Sequence, residues 1–187
     1  MSSFFNEIDA RGELDFIIES NKLNVLYVRT NTRSRCKCYD PLHKDGNASC
    51  KICGGKGLLS SIEKMEVFCN PMSMDDALRL SGQKHTELGD ATLLTQTFYL
   101  KHNERPKAGD RMLIVGYDKH NLPTEVKESS IVSVVREVRG FNGRIEMYKV
   151  ICRTSAPMLD KDQKRLNYIP NSQKAKLMKG VRYQWGS

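Results

Sequence analysis

The rhythm of apolar and polar residues changes several times along this chain, and those changes outline its elements. In 23-LNVLYVRT-30, Leu23, Val25 and Tyr27 alternate with Asn24, Leu26 and Val28, and the residue types favour a strand. The stretch 58-LLSSIEKMEVFC-69 reads as a second strand, and 92-TLLTQTFYLK-101 alternates again. In 104-ERPKAGDRMLIVG-116 a Pro/Gly-marked turn leads into an apolar strand, and 117-YDKHNLPTEVK-127 is a turn followed by a short strand. Finally, 130-SIVSVVREV-138 and 144-RIEMYKVICRT-154 flank the compact turn RGFNG, a hairpin pattern. Short strands recurring at roughly ten-residue spacing predict a mainly β protein, a small β-barrel or sandwich.

Three segments break this β pattern. Residues 7-EIDARGELDFIIE-19 place acids early and apolar residues late, which predicts a short N-terminal helix weakened by Gly12. Residues 70–90 read as a long polar loop with one helical turn at 74–80, capped by Asp75 and Asp76. From Pro157 onward the periodicity fades. Residues 157–187, with Tyr183 and the single Trp185 near the end, read as an extended basic arm that is loose alone and docks on a partner. The expected organisation is therefore a helix and first strand over 1–34, a cysteine module over 35–57, the β-barrel over 58–156, and the arm over 157–187.

Composition narrows the class. Of 187 residues 28% are charged and 39% hydrophobic, a soluble profile with a modest apolar supply that favours a small core aided by a metal or a partner. No apolar run approaches the length of a membrane span, so no membrane partner is expected. The opening MSSFFNEIDARGELDF has neither a basic start nor an apolar core, so no secretory signal is expected and a reducing compartment is. The net charge is +8, and residues 160–187 hold seven basic against two acidic residues, which accounts for +5 of it. Such a balance points to an acidic partner, either a protein face or nucleic acid.

The chemistry concentrates in 35-RCKCYDPLHKDGNASCKICGGKG-57, which holds four of the six cysteines. Two close pairs separated by a turn-forming loop supply the four thiolates that a structural Zn2+ takes in a tetrahedron. The expected ligands are Cys36, Cys38, Cys50 and Cys53, with His43 or Cys69 as the alternative to one thiolate. Gly54, Gly55 and Gly57 let the backbone turn sharply beside the ion. A redox C-x-x-C needs a helix start, and GGKG is poor helix material. Catalytic zinc keeps an open position beside a general base, whereas four thiolates close the shell. Cys69 and Cys152 lie in strand-like stretches and read as buried apolar residues. His43, His85, His102 and His120 are scattered through polar turns, and no phosphate-binding loop, nucleophile elbow, zinc-protease or dinucleotide motif occurs. No catalytic role is expected.

The run VLYVRTNTRSRCKCYD…SCKICGGKG resembles the opening of many tailed-phage structural proteins. There a strand of the form V-x-Y-x-R leads into a zinc module ending in C-x2-C-x-G-x-G. The later KAGDRMLIVGYDKHNLPTEVKESSIVSVVREVRGFNGRIEMYKVICR resembles the β-barrel of phage head-closure and head–tail connector proteins, with a "GDR" turn and a long final hairpin. The resemblance spans residues 23–154. It implies a virion structural protein without enzymatic activity, assembled in the host cytoplasm into a neck ring of six or twelve copies. Its neighbours would be the portal or adaptor and the tail-terminator protein, with DNA in the channel. The alternatives are another tail or baseplate structural protein, or a zinc-ribbon nucleic-acid-binding accessory protein.

Overall fold

The computed structural model describes residues 10–50, 52–53, 55, 57–71, 95–140 and 143–185. The loop with its helical turn at 74–80, Asp75, Asp76 and His85 lies outside them, as do Phe141 and Asn142 of the RGFNG turn. Helix α1 (Ala10–Ser20) leads into β1 (Leu23–Arg35); the short strands β2 (Tyr39–Asp40) and β3 (Asp45–Gly46) form a miniature hairpin. Then follow β4 (Leu58–Pro71), β5 (Thr95–Lys101), β6 (Arg111–Tyr117), β7 (Pro123–Arg139) and β8 (Ile145–Thr154). The chain ends in α2 (Ala156–Asn167), α3 (Asn171–Met178) and β9 (Tyr183–Gln184).

All long-strand pairings are antiparallel, in the order β1-β6-β7-β8-β5-β4, and β4 returns to pair with β1. The sheet thus closes into a six-stranded barrel. Closure leaves these strands no continuous open edge, the standard hazard of a β-sheet. The two stretches read as separate strands over 117–138 are one bulged strand, β7, which pairs first with β6 and then with β8. Strand β1, although it precedes the cysteine module, is one wall of the barrel.

The alternation in each strand sorts its residues between two apolar layers. Val25, Tyr27, Met65, Val67, Phe98, Leu100, Met112, Val132, Tyr148, Val150 and Cys152 fill the barrel interior. Leu26, Val28, Ile62, Leu113, Val115 and Val126 form a second layer, and on this layer lie Leu166, Ile169, Leu177 and Trp185 from the C-terminal segment. Helix α1 buries Leu14 and Ile18, while Arg11 donates to the Ile145 carbonyl and Asp15 meets Lys101. It therefore lies against the barrel where β5 ends and β8 begins.

The C-terminal segment is a correction to the expected extended arm: residues 156–185 fold as two helices and a short strand. Pro157 occupies the first turn of α2, where its missing N–H costs nothing, and Pro170 ends that helix and opens α3. Burial holds the segment down. Leu177 is fully buried, β9 pairs with β4 through Tyr183 and Gln184, and the Trp185 backbone N–H donates to the Ser60 carbonyl at 3.1 Å. Arg111 of β6 pairs with Asp162 of α2, both buried, and Ser129 donates to the same carboxylate at 2.7 Å. The sequence signal was present but small. Leu26 and Val28 occupy the face of β1 opposite to Val25 and Tyr27, so β1 is apolar on both sides and needs a cover.

Two substitutions measure how far the segment belongs to the fold. Leu177→Ala should cost about 2–5 kcal/mol of unfolding free energy, the range for a buried leucine truncated to a cavity. Asp162→Ala should cost about 3–5 kcal/mol, because it leaves Arg111 charged and buried without its partner. Denaturant unfolding checks both; losses below 1 kcal/mol would mean the helices are only loosely laid on the barrel.

Candidate metal centre

The cysteine module is the connection between β1 and β4. Those strands pair from Leu23↔Val67 up to Thr30↔Ser60, and after an irregularity Arg35 still faces Leu58. The chain leaves the ladder at Cys36 and rejoins it at Gly57, where the Cys36 N–H donates to the Gly57 carbonyl at 2.8 Å. Between them, β2 and β3 carry the chain out and back, and the Gly46 N–H donates to the Gly55 carbonyl at 3.0 Å.

This path brings four sulfurs together. The Sγ atoms of Cys36, Cys38, Cys50 and Cys53 all lie within 4.8 Å of one another. The separation is 3.8 Å for Cys36–Cys50 and 3.3 Å for Cys38–Cys53. A tetrahedral zinc with Zn–S bonds near 2.3 Å has sulfur–sulfur edges of about 3.8 Å, so the donor set is already close to the spacing the ion needs. All six cysteines are free thiols.

Glycine is required at two points of the cradle. Gly57 sits at φ +67°, and a Cβ there would lie 2.6 Å from the Tyr39 ring and 2.7 Å from the Asp45 backbone. A Cβ on Gly46 would lie 2.5 Å from Gly57 N and 3.1 Å from the Cys38 sulfur. The Gly57 N–H also donates to Cys53 Sγ at 3.3 Å, an arrangement that stabilises a thiolate. Tyr39 closes one flank, with the Arg35 guanidinium 4.7 Å from its ring centre.

Cys38 and Cys50 are shifted in opposite directions. Hydrogen bonding to Cys53, and next to Cys50, pushes the Cys38 thiol up to about 12. The backbone N–H of Cys53 brings Cys50 down to about 6. The cluster therefore favours a thiolate at Cys50 while Cys38 keeps a proton shared among the sulfurs. An incoming ion must displace that proton.

Neither alternative ligand joins the cluster. His43 is exposed on the β2–β3 turn, with Nδ1 2.6 Å from the Asp40 carboxylate, whose pKa it lowers. Cys69 lies on β4 and packs against the barrel interior. Cys152 is fully buried, contacts the Met112 sulfur at 3.5 Å, and has its thiol pushed up by burial. Both strand cysteines thus behave as apolar residues. His102 and His120 lie in turns apart from the sulfurs.

One contributor was missed in the sequence. Arg165 of α2, buried, donates from Nη2 to the Cys53 carbonyl at 2.5 Å and lies 5.9 Å from the Trp185 ring centre. Its sequence separation of 112 residues from Cys53 left no local pattern to find. No protein-family model matches this chain, and no curated protein matches its sequence.

The four cysteines lie close enough together to bind a metal ion. Binding requires thiolates, so occupancy should fall as pH falls, and the fall should steepen below about pH 6, where Cys50 adds its proton to the competition. Competition with a chromophoric chelator on either side of that pH reads the slope. Alkylation gives a second check: chelation should expose Cys36, Cys38, Cys50 and Cys53 to a thiol reagent and leave Cys152 protected. Equal labelling of the four with and without chelator would overturn the assignment.

Proposed function

We propose that this chain is a structural component of a tailed-phage virion, a ring-forming head-closure or head–tail connector protein. It would join the portal to the tail, with zinc serving as a structural ion. The observation that best supports the reading is how the two stretches of the phage resemblance meet. The V-x-Y-x-R strand runs antiparallel to the strand that leaves the "GDR" turn: Val25 faces Ile114, Tyr27 faces Met112, and Val28 faces Arg111 of the turn itself, because β1 pairs directly with β6. The Tyr27 hydroxyl donates to Asp110 at 2.9 Å, and the Thr30 N–H donates to the same carboxylate at 3.1 Å. Gly109, at φ +87°, and Asp110 exchange backbone hydrogen bonds with Val132 of β7. Arg29 pairs with Glu63 of β4 and donates to the carbonyls of Glu104 and Arg105. Residues far apart in sequence are thus parts of one lock on one barrel wall.

The metal chemistry is consistent with this role. Four thiolates complete a tetrahedron and leave no position for a substrate, so the ion supplies folding free energy instead of reactivity. A closed barrel held by such a staple is a rigid subunit, and heterologous contacts between rigid subunits make a ring when the rotation from one to the next closes.

The purified chain should sediment as a ring of six or twelve copies, or form one on addition of the portal or tail-terminator protein of the same virion. Negative-stain microscopy would reveal it. A chain that stays monomeric with both partners, and binds DNA with a steep salt dependence, favours the zinc-ribbon nucleic-acid reading instead.

A further inference from the structure

Arg165 stands where the two halves of the molecule meet. On one side it holds the carbonyl of Cys53, which is itself 1% exposed and supplies one of the four sulfurs. On the other it belongs to α2, whose Leu166 is buried on the outer layer of the barrel, and its guanidinium faces the Trp185 ring. The Trp185 backbone N–H in turn donates to the carbonyl of Ser60, two residues past the start of β4. Arg165 is also an under-compensated buried cation. Its Nη1 has no hydrogen-bond partner among the described residues, and the only acid buried with it on α2, Asp162, is engaged by Arg111 and Ser129.

Charge gives this contact a direction. A divalent ion on four thiolates is a centre with a net charge of about −2. A buried guanidinium beside such a centre gains the countercharge it otherwise lacks, and the centre gains a cation. We propose that Arg165 is a positioning residue of the metal centre, coupling ion binding at Cys53 to the docking of α2, α3 and β9 on the barrel. This rests on reading the four cysteines as a metal site. Thermodynamic linkage makes the coupling reciprocal: metal tightens the C-terminal segment, and the docked segment tightens metal binding by the same factor.

Trp185 is the only tryptophan of the chain and reports on docking without a label. In the full-length reduced protein, stripping the metal with a chelator should shift its emission toward that of water-exposed indole, and restoring Zn2+ should reverse the shift. Arg165→Met should weaken affinity for Zn2+ or Co2+ by about 10- to 100-fold, the range for lost partners of a metal ligand. Arg165→Lys, which keeps the charge and a donor nitrogen but not the planar fork, should recover part of that loss. If Arg165→Met does not fold, Leu177→Ala loosens the same helices at a distance and must also lower metal affinity.

The outcomes separate two failures. A wild-type protein that gives no thiolate absorption with Co2+ overturns the metal centre itself, and this proposal with it. A wild-type protein that binds Co2+ through thiolates but keeps the same Trp185 emission when stripped overturns the coupling alone. So does a folded Arg165→Met or Leu177→Ala chain with wild-type metal affinity.

Discussion

The pairing of β1 with β4 is the constraint on which the rest of this structure hangs. It closes the barrel, since without it the sheet from β1 to β4 would end in two open edges. It also fixes where the cysteine module sits, because the module is the connection between those strands. A tight hairpin would need only a few residues there, and this one spends the whole of residues 36–57. A connection that long would ordinarily carry a large ordering entropy and little core to offset it. Four sulfurs within bonding reach of one ion are a compact way to order it, and an ion bound there would pin the ladder end at Arg35 and Leu58.

A second constraint follows from the sheet's sidedness. A closed barrel of six strands fills its own interior, and polar residues on its outer face would leave it complete. Here β1 and β6 are apolar outward as well, through Leu26, Val28, Leu113 and Val115. That face must be covered, and α2, α3 and β9 cover it. The same interface holds the buried Arg111–Asp162 pair. Such a pair adds little net stability compared with apolar residues of the same volume, but its geometry is exacting. In this fold it sets the position of α2 against β6, and Arg165, three residues further along α2, reaches the Cys53 carbonyl.

Much of the barrel was legible in the sequence because its strands alternate and its turns carry glycine and proline. The six long strands fall on the stretches that the period-two pattern marks, apart from the merging of two of them into β7. The four-cysteine cluster was legible because its residues lie within one short, turn-rich run and its pairs have ligand spacing. The C-terminal helices were not. Helix α2 offers Leu166 near its end, with Ile169 just beyond it, and in α3 the buried positions are Leu177 and Lys174, so neither shows the repeated apolar stripe that identifies a helix. Their stability comes from what they cover. A property of the partner surface is invisible in the segment's own periodicity, and only the two-sided apolar character of β1 hinted at it.

The fold also changes what the basic C-terminal segment can offer a partner. As a loose arm, all seven of its cations would be available to wrap an acidic surface. In the folded segment Arg165 and Lys174 are buried, burial lowers the pKa of both, and Arg182 pairs with Glu63 of β4. Lys161 and Lys164 on α2, Lys176 on α3 and Lys179 just after it remain exposed. Their spacing of three residues puts each pair on one side of its turn of chain, held by a docked backbone. Preorganised charges lose less entropy on contact than charges on a flexible tail, but they fit only a partner whose acids match their positions. A neighbouring subunit with a fixed acidic face satisfies that requirement better than a sliding polyanion, which rewards density of charge over placement.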